Sequence, residues 1–372
     1  MKKTIIFVAG SIIYMRDGYN TRIEMEMEKL KNKYNVILFI PNLCNEDYIA
    51  QNGIEVEKYD TKSGGQLSYL YNMHSFKNAL NKLCLKYENV VICAESLGPA
   101  IKSYRIAKNN SAKFIYECHG TEPDEFALNH PGIKGKIMKT VLEHLQRTVL
   151  KTNPLLITVT KNQADILNYS NFIILPMMPS KAFIETPNMR SEARKALNIP
   201  AGAEVFVYSG QNQKWQMCEE TVQIFKKISK KNPQAFLLIL TGQKDYFKTL
   251  IDKYEIANYV IHSSKYEDMP FYLDACDYGF CIRNSSIINR VASPTKVLEY
   301  LARNIKPIIS EYVGDFSVDL PSKGLACVWN DNCEISKDDS FNGKNYVIEL
   351  DKNVTKCYDN KIASLFNRDV VY

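Results

Sequence analysis

The residues Ser293, Pro294, Thr295, Lys296 and Glu299 fall within two helical turns of the run SPTKVLEYLA, which precedes KPIIS at 306–310. The spacing predicts a helix with Ser293 at its N-cap and Pro294 in its first turn, reached by a strand YGFCIR (278–283) and a polar loop. A helix opened in this way offers unbonded backbone N–H groups and the positive end of its dipole, which suits a diphosphate. Lys296 adds a full positive charge there. Glu299, one turn further, is placed to accept hydrogen bonds from a ribose diol. The same spacing also fits an ordinary surface helix with both charges solvated.

A second set lies in the first half of the chain. His119, one of five histidines, ends the strand-like run KFIYECHG (113–120), and ligands of parallel sheets bind at the carboxyl ends of strands. The alternative is a structural histidine bonded to a neighbouring backbone group. Gly18 precedes an amphipathic stretch and would let the backbone approach a ligand, although an ordinary N-cap turn explains it equally well. Arg22 lies four residues on. Glu122 follows His119 closely and, with Glu95 and Glu117, could supply the proton-abstracting carboxylates that an isomerase would need. No Asp-x-Asp follows any strand, so no metal site is expected. G-x-G-x-x-G and P-loop patterns are absent, which excludes nicotinamide enzymes and P-loop ATPases.

These residues need elements to hold them. TIIFVAG (4–10), NVILFI (35–40), IEVEKY (54–59), NVVICAE (89–95), KFIYECHG and LLITVT (155–160) read as strands apolar on both faces, hence as a parallel sheet covered by helices. One helix is expected at 21–33, and Leu80, Leu83 and Cys84 mark the apolar face of another. MMPSKAFIETP near 177–187 reads as a linker. The cycle then restarts with EVFVYSG (204–210), AFLLILTG (235–242), YVIHS (259–263), YGFCIR, KPIIS and GLACVW (324–329). The fold class is therefore α/β, two doubly wound Rossmann-like domains at 1–180 and 181–351 with a final helix at 352–372. The active site is expected in the cleft between them.

A length of 372 residues and an apolar fraction of 45% support two cores. The ten cysteines are scattered without a Cys-x-x-Cys pair, so neither a zinc site nor a disulfide framework is expected. The apolar start is too short for a signal sequence or a membrane span, which points to the cytoplasm. A net charge of +6 does not suggest nucleic acid as a partner. Through Ser170 there are 22 Lys and Arg against 17 Asp and Glu, so most of the excess lies in the first half. The stretch 133–151 pairs an apolar stripe (Ile137, Val141, Leu142, Leu145, Val149) with a basic one (Lys136, Lys139, Arg147, Lys151). It fits a helix packed on its own sheet, or one peripheral at an anionic membrane surface.

The 283–310 segment resembles the donor-binding signature of family 4 glycosyltransferases of the GT-B fold, including those of bacterial polysaccharide biosynthesis. The shared pattern is an arginine (Arg283), a loop, then Ser-Pro-x-Lys-x-x-Glu-Tyr-x-Ala and Pro-Ile-Ile. Tyr208-Ser209-Gly210 before Lys214-Trp215-Gln216 is similar to the family's first strand and loop of the C-terminal domain. The resemblance implies that Glu299 binds the ribose, that Lys214 and Lys296 hold the diphosphate near Gly210 and the 283–295 loop, that His119 faces the donor sugar and acceptor, and that Gly18, Arg22 and Glu122 lie on the acceptor side, since Gly18-Tyr19-Asn20-Thr21-Arg22 is similar to the family's glycine-containing loop after the first strand. It further implies transfer from a nucleoside diphosphate sugar to a glycan or lipid-linked acceptor, with retention and without metal or other cofactor. Two departures stand out: Val291 replaces the first glutamate of the Glu-x7-Glu pattern, and Gln211 replaces a basic residue after Gly210. A sugar-nucleotide epimerase of the same fold and a non-catalytic relative are the rival readings.

Overall fold

The structure, a computed structural model, describes residues 3–10, 18–43, 53–333, 335–336 and 340–367. Residues 11–17, Cys44 and the last five residues of the expected tail lie outside these. The chain divides into two compact units, one of Met1–Pro176 with Val354–Tyr372 and one of Met177–Asn353.

In the first unit seven parallel strands, β1 (Thr4–Ala9), β2 (Asn35–Pro41), β3 (Glu55–Tyr59), β4 (Val90–Glu95), β5 (Lys113–Cys118), β6 (Leu155–Thr158) and β7 (Phe172–Ile174), lie in the order β3-β2-β1-β4-β5-β6-β7. The β1 and β4 strands are buried on both faces, which is why they read as unbroken apolar runs. The strand order reverses between β1 and β4, so ligand-facing loops are those that follow these two strands and their neighbours. β7 is the strand that escaped the sequence pattern, because three residues between an asparagine-containing turn and Pro176 carry too short a period to register. The expected helix at 21–33 starts earlier, spanning Gly18–Leu30. The final helix is longer than the expected tail and spans Gly343–Asn367. Its second half packs in the first unit, where Val354, Tyr358 and Ile362 recur every four residues as one buried stripe.

The second unit repeats the design with β8 (Glu204–Ser209), β9 (Ala235–Leu240), β10 (Tyr259–His262), β11 (Tyr278–Cys281), β12 (Lys306–Ile309) and β13 (Cys327–Val328), ordered β10-β9-β8-β11-β12-β13 and parallel throughout. Here the order reverses between β8 and β11. The segment 177–187 is not a free linker. Its carbonyls at Phe183, Thr186 and Pro187 accept hydrogen bonds from the buried Arg303 guanidinium, whose charge is matched by Asp274. Phe183 itself is wholly buried in the core of the unit. Proline and small polar residues gave the stretch a loop composition, and a distant arginine gives it a fixed place.

Candidate functional site

At the β8/β11 reversal, two loops and one helix converge. Gly210 ends β8 with φ at +135°, a backbone that side-chain-bearing residues rarely adopt, and a Cβ there would stand 3.2 Å from Lys296 Nζ. The Thr295–Ala302 helix lies beside it. Its N-cap is Pro294, not Ser293 as expected, because Pro294 keeps an extended ψ of 116° and the Ser293 hydroxyl accepts instead from Met177 N at 3.2 Å. Among the described residues no side chain caps this helix, so its dipole and first amides are not spent on a cap.

Lys296 is buried, donates to Gln216 Oε1 at 2.8 Å and lies 4.6 Å above the Tyr208 ring. Burial and the neighbouring Arg283 push its pKa down to about 8. Glu299 is likewise buried and accepts from Tyr266 Oη at 2.9 Å. Burial raises it to about 7, against the opposing pull of Tyr266 and Lys296. Arg283 reaches from β11 to the loop after β8, where Nη1 donates to Trp215 O at 2.9 Å. Its Nε is buried and has no hydrogen-bond partner among the described residues. The structure thus brings Gly210, Arg283, Ser293, Pro294, Thr295, Lys296 and Glu299 to one corner of one sheet. Lys214 lies exposed in the same loop and makes no hydrogen bond or ion pair with them among the described residues.

Residues that sequence spacing did not single out complete this corner. Tyr266, which holds Glu299, comes from a short 3₁₀ turn 33 positions upstream. Tyr300 donates to, or accepts from, Ser209 Oγ at 2.9 Å, and Gly279 on β11 makes room for its ring, since a Cβ there would lie 2.4 Å from Cδ2. A cavity of about 920 Å³ in the same unit opens against Glu204, Lys227 and Trp329, at the amino end of β8 and away from this chemistry.

In the first unit, His119 follows β5 at the carboxyl edge, and its Nε2 lies 3.1 Å from Glu95 Oε2 and 3.5 Å from Glu117 Oε2. Burial and Arg22 push the imidazole down to about 3, so it is neutral at physiological pH. Arg22, expected at the acceptor side, is turned inward: Nε bonds Glu26 at 2.8 Å and Nη1 donates to Leu175 O at 2.7 Å. Gly18 is the first residue of its helix. Glu122 accepts from Leu97 N at 2.5 Å and so serves the start of the Leu97–Asn109 helix, with burial raising it to about 7. Cys93, Glu95 and Glu117 also bring three metal-type ligand atoms within 4.8 Å of one another. Arg22 Nε stands 3.3 Å from Glu117, so this group already has its cation.

The helix Ile133–Leu150 divides along its length. Val149 and Leu150 are buried, but Ile133 (78% exposed), Ile137 (59%), Met138 and Val141 face outward, so the expected apolar stripe packs on its own sheet only in its second half. No helix among the described residues is long and apolar enough to cross a membrane.

Comparison with known proteins adds to this geometry. The family model described as glycosyl transferases group 1 matches residues 189–318, which hold Gly210, Arg283, Lys296 and Glu299. No curated protein sequence matches the chain. Among solved structures, sucrose-phosphate synthase from Thermosynechococcus elongatus is similar with a TM-score of 0.75 at 14% identity, over 98% of this chain and 100% of that one. Anabaena HepE in complex with UDP-glucose gives 0.60 at 13% identity over 98% and 95%. A glycosyltransferase from Rickettsia africae gives 0.64 at 15% over 98% and 94%. Residues 189–318 are therefore a glycosyl transferases group 1 domain, and the chain that carries them has the fold of the GT-B glycosyltransferases.

Proposed function

We propose that the chain transfers a sugar from a nucleoside diphosphate sugar to a hydroxyl of a glycan or polyprenyl-linked acceptor. One observation carries the reading: a buried lysine and a buried carboxylate stand one turn apart on a helix with an uncapped start, at the point where the second sheet reverses its strand order. In the reaction the bond from the anomeric carbon to the diphosphate breaks and one to the acceptor oxygen forms. Lys296, the Arg283 Nε and the helix dipole stabilise the charge that develops on the diphosphate, with Lys214 as a further cation on the loop. Glu299 binds the ribose, and Gly210 lets the phosphates approach the backbone. In a retaining route the leaving phosphate takes the acceptor proton, so His119 need not be a base and serves to orient the sugar or acceptor. Cationic side chains take the place of a metal.

HepE is solved with UDP-glucose, which supports testing UDP-sugars first. The exposed apolar turns and lysines of the Ile133–Leu150 helix support a peripheral contact with an anionic membrane carrying a lipid-linked acceptor. The test is a panel of UDP-, GDP-, ADP- and CMP-sugars, read by thermal stabilisation and by release of nucleotide, with and without EDTA. A ligand at about 100 times its dissociation constant stabilises by about 2.7 kcal/mol. One donor is expected to stabilise and to yield free nucleoside diphosphate in EDTA. Abolition by EDTA and rescue by manganese or magnesium would overturn the metal-free mechanism. A changed sugar still on its nucleotide would make the protein an epimerase, and binding without turnover a non-catalytic relative.

A further inference from the structure

The segment 177–187 meets the Thr295–Ala302 helix at both ends and in the middle. Just before the helix, Ser293 Oγ accepts from Met177 N at 3.2 Å. Just after it, Arg303 donates to the carbonyls of Phe183, Thr186 and Pro187. Between these points Tyr266 stands between segment and helix. Its ring lies 5.5 Å from that of the buried Phe183, tilted by 47°, and its hydroxyl lies beside Ser180 and donates to Glu299 Oε1 at 2.9 Å.

The two carboxylate oxygens of Glu299 are therefore not equivalent. Oε1 is taken by the phenol. Oε2 accepts no hydrogen bond among the described residues, and the side chain keeps 6% of its surface exposed. A nearly buried carboxylate oxygen without a donor is costly, and the vicinal hydroxyls of a ribose are donors that remove the cost. Tyr266 also bears on the charge. Burial raises Glu299 to about 7, while the hydrogen bond from Tyr266 and the charge of Lys296 pull it back. Those two are the titratable groups that act on this carboxylate among the described residues, and Arg283, which follows β11, acts on Lys296. Tyr300, next along the helix, turns its hydroxyl to Ser209. Without the phenol, Glu299 keeps its burial and one cation and takes up its proton at higher pH.

We propose that Tyr266 is a positioning residue that sets ribose recognition: packed against Phe183, it holds Glu299 by Oε1, presents Oε2 to the ribose and so makes donor binding depend on the ribose hydroxyls. The 177–187 segment thereby belongs to the donor site, because it supplies the wall on which Tyr266 rests. Ribose recognition rests on the function proposed above, whereas the hold of Tyr266 on Glu299 does not.

Two measurements read these separately. The first needs no ligand: carbon-13 carboxyl signals of glutamate-labelled protein are followed with pH, the Glu299 signal being assigned by its loss in Glu299→Gln. Wild type is expected to titrate at about 7, and Tyr266→Phe, which keeps the ring against Phe183, at higher pH. The second is calorimetry with UDP, GDP, ADP and CDP, each beside its 2′,3′-dideoxy form. Both members of a pair carry the same diphosphate, so the contribution of Lys296 cancels in their ratio. Just above pH 7, wild type is expected to prefer one ribonucleotide over its dideoxy form by about 10- to 150-fold, the scale of hydrogen bonds to a charged group. In Tyr266→Phe the preference is expected to fall to about 2- to 10-fold, the scale of a neutral hydrogen bond, and to recover as pH rises. An unmoved Glu299 titration or an unchanged preference in Tyr266→Phe would overturn the proposal, and loss of the preference in Glu299→Gln would then leave the donor site standing without Tyr266. A wild type that binds none of the nucleotides, or a Glu299→Gln variant that keeps the full preference, would remove the donor site itself and ribose recognition with it.

Discussion

Lys296 and Glu299 are poised close to neutrality because burial away from water disfavours both charges, with Arg283 adding to the shift of Lys296, and outweighs the attraction between the two. Lys296 titrates at about 8 and Glu299 at about 7. In the proposed reaction a diphosphate binds the ammonium form, so donor capture is expected to weaken as pH rises through about 8. A ribose diol donates to a carboxylate, so capture also weakens as pH falls through about 7. The kcat/KM for donor is therefore expected to be bell-shaped with a narrow maximum between these values, since that ratio reports the free enzyme. Lys296→Ala should remove the alkaline limb and depress turnover more than binding if the charge acts mainly on the departing diphosphate. Glu299→Ala should remove the acid limb and cost contacts of about 1.5 to 3 kcal/mol, a factor of about 10 to 150 in affinity by calorimetry. Limbs that persist in both variants would take the donor off this helix.

Among the elements, those with strong local periodicity were legible in the sequence, and those held by distant partners were not. The buried strands and the amphipathic Gln66–Lys86 helix, with Leu80, Leu83 and Cys84 inward, carry their own pattern. So does the Ser-Pro-Thr-Lys-Val-Leu-Glu run, where every group of interest lies within two turns. Tyr266 and Tyr358 do not, because their partners are 33 and 332 positions away and no spacing links a phenol to a remote glutamate. Ser293 is an intermediate case. Its residue type favours a cap, but a backbone N–H at Met177 took its hydroxyl. The 177–187 segment shows the same override at larger size, and it can be tested. Arg303 donates to three of its carbonyls and to the buried Asp274, which also accepts from Met189 N at 2.8 Å. Arg303→Ala leaves that carboxylate buried without its cation and is expected to cost about 3 to 5 kcal/mol. Both tryptophans, Trp215 and Trp329, belong to the second unit, so urea unfolding followed by their fluorescence reads this unit. A midpoint equal to wild type would show that the segment needs no such anchor.

At the scale of the whole molecule, charge and apolar exposure coincide in the first unit. The Leu97–Asn109 helix packs against both the Gln66–Lys86 and Ile133–Leu150 helices, so the three form one layer on the sheet. In a parallel sheet the helices run back against the strands, which puts the first turns of all three at the carboxyl edge. That rim exposes Leu67, Tyr69 and Leu70 on one helix and Ile133, Ile137, Met138 and Val141 on another, with Lys134 and Lys136 exposed among them. Neighbouring exposed apolar groups of this kind mark an interaction surface more than a packing fault. A bilayer suits them, since apolar side chains enter the interface while each Lys or Arg near an anionic surface contributes about 1 kcal/mol. Sedimentation with vesicles is expected to show binding to anionic lipid that weakens with salt. The double variant Ile137→Glu and Val141→Glu replaces two exposed side chains, so its fold and donor affinity should persist while vesicle binding is lost. Equal partitioning of the wild-type chain onto neutral and anionic vesicles at low salt, or undiminished binding of the double variant, would remove the membrane from this face and leave the donor chemistry proposed for the second unit untouched.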